Sequence, residues 1–175
     1  RPFLHGTYLL AGASLCGGKA YALLEKFFRE FVKEATGQEK PLYKTLEKLA
    51  GDGKASCTGR ENRKKLQIET TFDGTRVHPE QTGSITNLST DNFTPAAFVY
   101  GTLEGMSREL YQMYQTIQNG TGMQIKRMIG SGNGLRKNPV LCGIVEEMFG
   151  AKLALAECEE EAATGAALSS MQQDE

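Results

Sequence analysis

The sequence contains no tryptophan and only two histidines, His5 and His78, in 175 residues. Its four cysteines, Cys16, Cys57, Cys142 and Cys158, stand far apart and form no C-x-x-C pair. A structural zinc site needs four convergent nitrogen or sulfur ligands, so this inventory excludes a zinc module. The scattered thiols read as reduced cysteines of a cytoplasmic protein. Charge of one sign is missing too. Twenty basic residues face twenty-one acidic ones, for a net charge of −1, which leaves no electrostatic footprint for nucleic acid. No apolar run approaches the roughly 20 residues that a membrane span requires. No secretory pattern opens the chain, so the N-x-[ST] triplets at Asn87, Asn92 and Asn119 read as chance. The chain opens Arg1-Pro2-Phe3 without an initiator methionine, and it is expected to be a piece of a longer protein cut at an exposed loop.

What is present is ordinary globular material. Hydrophobic residues make up 39% and charged residues 23%, which suits one folded domain with a real core. Glycine is plentiful, at 20 residues, and it clusters. The stretch Gly130-Ser131-Gly132-Asn133-Gly134 follows an apolar run, Gln124 to Ile129, that reads as a buried strand. Asn138-Pro139 then opens an apolar-periodic stretch: Val140, Leu141, Ile144, Val145, Met148 and Phe149 mark one helical face, with Gly150 as the stop. The pattern is strand, glycine loop, helix. Such a loop lets phosphate oxygens approach backbone N–H groups because no Cβ intervenes. The positive end of the following helix faces the same way. Asn138 occupies an N-cap position, and its amide also offers donors and an acceptor to a base edge.

The remaining elements follow in order. Tyr8 to Leu15 is apolar and strand-like, and Cys16-Gly17-Gly18 breaks it. A helix starts at Lys19, with Ala20, Leu23, Leu24, Phe27, Phe28 and Phe31 as its buried stripe and Glu25, Lys26, Arg29, Glu30 and Lys33 on the wet face. This second glycine corner is either a tight turn or a second backbone surface for the same ligand. Gln38 to Asp52 reads as a connector and a helix with Leu42, Leu46 and Leu49 on one side. Gly51 to Lys65, with Arg60, Arg63, Lys64 and Lys65, reads as a solvated loop. Leu66 to Phe72 alternates as a half-buried strand, and residues 75–94 read as irregular. Thr94-Pro95 opens a long helix to Ile117. Gly105 inside it implies a close helix approach, and the lone carboxylate of Glu104 reads as a structural group. Lys152 to Ala156 is a brief strand. Glu159-Glu160-Glu161 opens a last helix whose small residues allow close packing, and the tail from Gln172 to Glu175 is expected to fray. Alternation of this kind predicts an α/β layer fold with ligand loops at strand ends.

Several stretches together resemble the C-terminal half of FGGY-family carbohydrate kinases. They are Gly130 through Leu141, Glu160-Glu161-Ala162-Ala163-Thr164-Gly165-Ala166-Ala167, Asp73-Gly74-Thr75-Arg76 through Pro79, and Leu103-Glu104-Gly105. Ser14-Leu15-Cys16-Gly17-Gly18 looks most like the sedoheptulokinase branch. The resemblance implies one actin-like ATPase domain of ribonuclease-H-like topology over residues 1–175, a mixed sheet flanked by helices. It implies that the chain holds ATP, with Gly130, Ser131, Gly132 and the adjoining Asn133 near phosphates and ribose and Asn138 at the adenine. Gly17 and Gly18 stand where the family's backbone approaches the nucleotide, and Ala22 departs from the polar residue often found there. The family's catalytic Asp, its Mg2+ and its main sugar contacts belong to an N-terminal domain, so no catalytic or metal-ligating residue is assigned in this chain. This piece alone is therefore expected to be inactive. ATP, and a sugar held by the other domain, are the implied partners, and a homodimer is compatible with them.

Two other readings compete. A dinucleotide-binding oxidoreductase would use Gly130-x-Gly132, but Leu135 stands where its third glycine belongs. A non-catalytic actin-like assembly module would share the fold and lack the catalytic Asp upstream.

Overall fold

A computed structural model of the chain describes residues 6–57, 65–158 and 160–171. The Arg1-Pro2-Phe3 start, His5, the basic residues Arg60, Arg63 and Lys64, Glu159 and the tail after Met171 lie outside the described residues. The chain divides into two compact units, Arg1–Gln124 and Ile125–Glu175.

The first unit is built on one long helix. Helices α1 (Gly17–Thr36) and α2 (Tyr43–Cys57) come first, then strands β1 (Gln67–Glu69) and β2 (Ser84–Thr86), then α3 (Pro95–Thr121). Thr94 caps α3: its Oγ1 accepts from Ala97 N at 3.2 Å, and Pro95 fills the first turn, where no N–H is needed. The helix runs past Ile117 and through Asn119-Gly120, ending only where Gly122 turns left-handed at φ 70°. Gly105 does mark a close approach, but to a strand: a Cβ there would stand 2.2 Å from the carbonyl oxygen of Ile68 in β1. Gly53 of α2 meets α3 in the same manner, 2.4 Å from Ala96 O. Leu66, Ile68 and Ala97 form a core cluster, with Phe98 against it.

β1 alternates as expected over Leu66, Ile68 and Thr70, all buried, whereas Phe72 is exposed. Within residues 75–94, read above as irregular, β2 pairs antiparallel with β1, Ile68 opposite Ile85. Its short, exposed Ser-Ile-Thr run carries too little local pattern to be seen alone. α2 continues to Cys57, beyond the limit set by the polar stretch after Gly51.

Two expectations fail at the start of the unit. Tyr8–Leu15 forms no strand ladder, only an isolated bridge at Tyr8, and Tyr8, Leu9, Leu10 and Leu15 are exposed. The predicted stripe of α1 is split. Ala20 is buried, but Leu23, Phe27 and Phe31 lie in solvent, with Phe27 65% and Phe31 70% exposed. Glu25, assigned to the wet face, is 4% exposed. It is buried because it has partners: Oε1 accepts from Leu42 N at 3.0 Å and Oε2 faces Arg29 Nε at 3.3 Å. Arg29 and Lys33 both reach Glu39, so a charge network joins the flank of α1 to the connector before α2.

The second unit is a βαβ crossover. β3 (Met128–Gly130) and β4 (Leu153–Leu155) pair in parallel, Ile129 opposite Ala154. Between them lie a single helical turn, α4 (Asn133–Arg136), and α5 (Pro139–Phe149), which turns left-handed at Gly150. The expected strand over Gln124–Ile129 is much shorter, and Gln124 to Arg127 stay outside it. Glu146 of α5 accepts from Leu153 N at 2.9 Å and fixes the entry of β4. α6 (Glu161–Met171) forms as predicted, but most of its described residues are exposed, so its small residues do not serve close packing here. The fold is mixed α/β and mostly helical. Instead of one mixed sheet, the described residues contain two sheets of two strands each, one antiparallel and one parallel.

The Gly105 contact yields a test. Gly105→Ala is expected to lower unfolding free energy by about 3 kcal/mol through backbone overpacking. Gly120→Ala, where a Cβ meets nothing within 4 Å, is expected to raise it by up to about 1 kcal/mol through helix propensity. Urea unfolding midpoints of the two variants check both signs.

Candidate functional site

Each unit carries one glycine corner. The larger follows β3. Gly130 is buried, and a Cβ there would press within 2.8 Å of Leu135 Cδ1 and 3.0 Å of Leu153 Cδ1. Both atoms end flexible leucine side chains, so packing favours a small residue here without demanding one. Beyond it the loop opens. Ser131, Asn133 and Gly134 are exposed, and a Cβ on Gly132 or Gly134 would meet nothing within 4 Å. Gly132 takes φ 88°, a conformation that L side chains resist. The carbonyls of Gly132 and Asn133 accept from Arg136 N and Lys137 N. The amides of Ser131, Asn133 and Gly134 have no acceptor among the described residues. The loop therefore spends its acceptors internally and leaves donors outward. Arg136 reaches Cys158 O, which ties α4 to the segment after β4.

Asn138 closes this corner. It is 7% exposed, and its Oδ1 accepts from Leu141 N at 3.0 Å, capping α5. The N-cap role is therefore real, and it fixes the amide orientation, because only oxygen can face an N–H. The amide nitrogen Nδ2 then carries two donors, and nothing among the described residues accepts from it. Nδ2 is not among the buried side-chain atoms left without a partner, so its donors face solvent and are open to a ligand.

The smaller corner begins α1. Gly17 takes φ 30°, and Gly18 is exposed with nothing within 4 Å of a Cβ. Lys19 Nζ bridges both oxygens of Asp73, at 2.9 and 2.8 Å. Asp73 belongs to the Asp73-Gly74-Thr75-Arg76 stretch, whose turn closes through Thr75 N to His78 O at 2.9 Å. Cys16 is buried, and burial, followed by the Asp73 carboxylate, raises its thiol above the ordinary 9.0. Burial, then Glu146, raises Cys142 in the same direction. Ala22, the departure noted in sequence, is exposed and apolar. The corner also holds two residues that sequence reasoning left without a role, Ser14 and Glu109, joined across 95 positions by a 2.8 Å hydrogen bond. No local periodicity reports such a pair.

A profile of the FGGY family of carbohydrate kinases, C-terminal domain, matches residues 3–172, and the chain belongs to that family. Sedoheptulokinase of Mus musculus is 26% identical over 175 residues, covering 99% of this chain and 35% of that protein. Sedoheptulokinase of Homo sapiens is 26% identical over 169 residues, covering 95% and 33%. The chain spans about a third of the length of these relatives. Among solved structures, the xylulose kinase from Rhodospirillum rubrum superposes with a TM-score of 0.61 at 21% identity, over 79% of this chain and 25% of that one. A glycerol kinase from Plasmodium falciparum, solved with ADP, gives 0.58 at 16%, over 79% and 26%. These likenesses establish the actin-like ATPase fold. Family membership removes the ground for a dinucleotide-binding oxidoreductase.

The raised thiols give a prediction with a definite sign. The folded chain holds these protons more tightly than the unfolded chain, so their contribution to stability is complete below the ordinary value of 9.0 and is lost as pH rises past it. Alkylation followed by mass spectrometry at pH 8 is expected to label the exposed Cys158 well before Cys16 and Cys142. Unfolding midpoints are expected to fall between pH 8 and pH 10.

Proposed function

We propose that these residues are the ATP-binding portion of a carbohydrate kinase that moves the γ-phosphate of ATP to a sugar hydroxyl. A ketose such as sedoheptulose is the acceptor we favour, on the strength of the two sedoheptulokinase relatives. The observation that carries the nucleotide reading is Asn138, a buried side chain whose Oδ1 is committed to α5 while its Nδ2 donors have no protein partner. A ring nitrogen of adenine is a fitting acceptor for such a donor. The amides of Ser131, Asn133 and Gly134, with Gly132 holding the loop open, suit phosphate or ribose oxygens, while Gly130 supports them from below.

Phosphoryl transfer asks the protein mainly for positioning and charge stabilisation. This chain binds and orients through main-chain donors. Among the described residues, no grouping of three His, Cys, Asp or Glu side chains fits a metal ion. Following what the family resemblance implies, we assign Mg2+, the catalytic base and the sugar contacts to the part of a longer, cytoplasmic enzyme that corresponds to the rest of the relatives' length. On this reading the 175 residues alone transfer no phosphate. The uncovered apolar arc of α1, at Leu23, Phe27 and Phe31, together with the exposed Tyr8, Leu9 and Leu10, supports that division. We reserve this surface for the rest of the enzyme rather than for a homodimer.

Asn138→Asp tests the nucleotide reading, because aspartate keeps the helix cap and removes the amide donors. The dissociation constant for ATP, measured by calorimetry in the full chain, is expected to rise about tenfold, the worth of one good hydrogen bond. The melting temperature is expected to stay level. Unchanged affinity at full stability would remove Asn138 from the base site.

A further inference from the structure

The turn between α4 and α5 leaves Asn138 with one open group. Its backbone is non-helical, at φ −134° and ψ 86°. Its N–H donates to Leu135 O at 3.2 Å, and its carbonyl accepts from Cys142 N at 3.2 Å. Its Oδ1 accepts from Leu141 N at 3.0 Å. Only Nδ2 is uncommitted among the described residues. The direction of Nδ2 is therefore set by whatever holds these three bonds in place.

Cys142 holds Asn138 from both sides. Its N–H takes the carbonyl of Asn138, and its thiol donates to Leu135 O at 3.2 Å, the same oxygen that receives the N–H of Asn138. The three bonds close a ring through Leu135, Asn138 and Cys142. A carbonyl oxygen has two lone pairs, enough for the amide and the thiol. Lys137 N also reaches Leu135 O, but Asn133 O serves it at 3.1 Å. Leu135 belongs to α4 and Cys142 to the start of α5, so the thiol ties the glycine loop after β3 to the helix behind it. Helix propensity alone would favour alanine over cysteine at this position. A thiol donates only while it keeps its proton, and burial, then Glu146, raises Cys142 in that direction.

We infer that Cys142 is a positioning residue for the nucleotide: its thiol, bonded to Leu135 O, fixes the backbone of Asn138 and with it the aim of Nδ2. The inference rests on the nucleotide reading given above and adds the residue that orients the base contact. All of its parts lie in the second unit, with the glycine loop they serve. Cys142 itself touches no ligand.

The test uses the full chain, ATP as the probe and three readouts. By calorimetry, Cys142→Ala is expected to raise the ATP dissociation constant about threefold, the scale of one weak S–H donor. Cys142→Ser keeps a hydroxyl donor of shorter reach and is expected to recover part of the loss. A merely structural role would add to any other defect, so the second readout is a double-mutant cycle. On an Asn138→Asp background, Cys142→Ala is expected to weaken ATP no further. The third is capping by methyl methanethiosulfonate, in which the cysteine sulfur displaces methanesulfinate, forms an S–S bond and gives its proton to solvent. Coupling is reciprocal, so saturating ATP is expected to slow capping of Cys142 about threefold and to leave the exposed Cys158 unaffected, as read by mass spectrometry. If Cys142→Ala binds ATP as wild type does, or its effect adds in full to that of Asn138→Asp, the positioning role is refuted and the nucleotide reading stands. Capping of Cys142 that ignores ATP refutes it as well. If Asn138→Asp itself binds ATP as wild type does, the nucleotide reading falls and takes this inference with it, a result distinct from the others.

Discussion

The first unit depends on one approach of backbone to backbone. Gly105 lets α3 lie against the carbonyl of Ile68, a distance that any side chain would forbid. Gly53 gives α2 the same intimacy with the start of α3. A 27-residue helix gripped at two levels cannot rotate or slide without opening both contacts. Positions 101, 105 and 109 share one face of α3, four residues apart. The face that meets β1 therefore continues, one turn later, into Glu109. The same contact that builds the core also sets the height at which a carboxylate reaches Ser14.

Much of this was written locally. Thr94 and Asn138 behave as the caps their side chains allow, each accepting from an amide three residues on. Gly150 ends α5 in the left-handed conformation expected of it, and Gly105 marks a close approach as its cost within a helix implies. Such features involve residues within one turn, or a missing side chain, and a sequence displays both.

What was not legible depends on partners far along the chain. Tyr8–Leu15 has the composition of a strand, but a strand needs a neighbour, and composition names none. The apolar stripe of α1 announces that Leu23, Phe27 and Phe31 suit burial, but says nothing of what covers them. Glu25 looks like a surface carboxylate until Leu42 N and Arg29 are brought to it. β2 was missed because its three residues pair well only with β1. Ser14 and Glu109 were missed because neither is unusual alone. In each case the deciding term is a tertiary contact, and that term overrides the local pattern.

The two corners solve different problems with the same group, the backbone N–H. After β3, Ser131, Asn133 and Gly134 keep their donors outward and the glycines keep the space clear. Such a surface can follow oxygens that move as a phosphate changes its bonding, because several donors share the charge. At the start of α1 the donors are instead consumed, two by Ser14 and one by Cys16 O, until Gly18 remains. One donor with its neighbours tied has direction but little capacity for charge. Glu109 and Asp73 add negative potential beside it, which Lys19 offsets at Asp73 alone. The loop after β3 therefore suits an anion better than the start of α1 does. Electrostatics thus distinguishes corners whose glycines, read as letters, look alike.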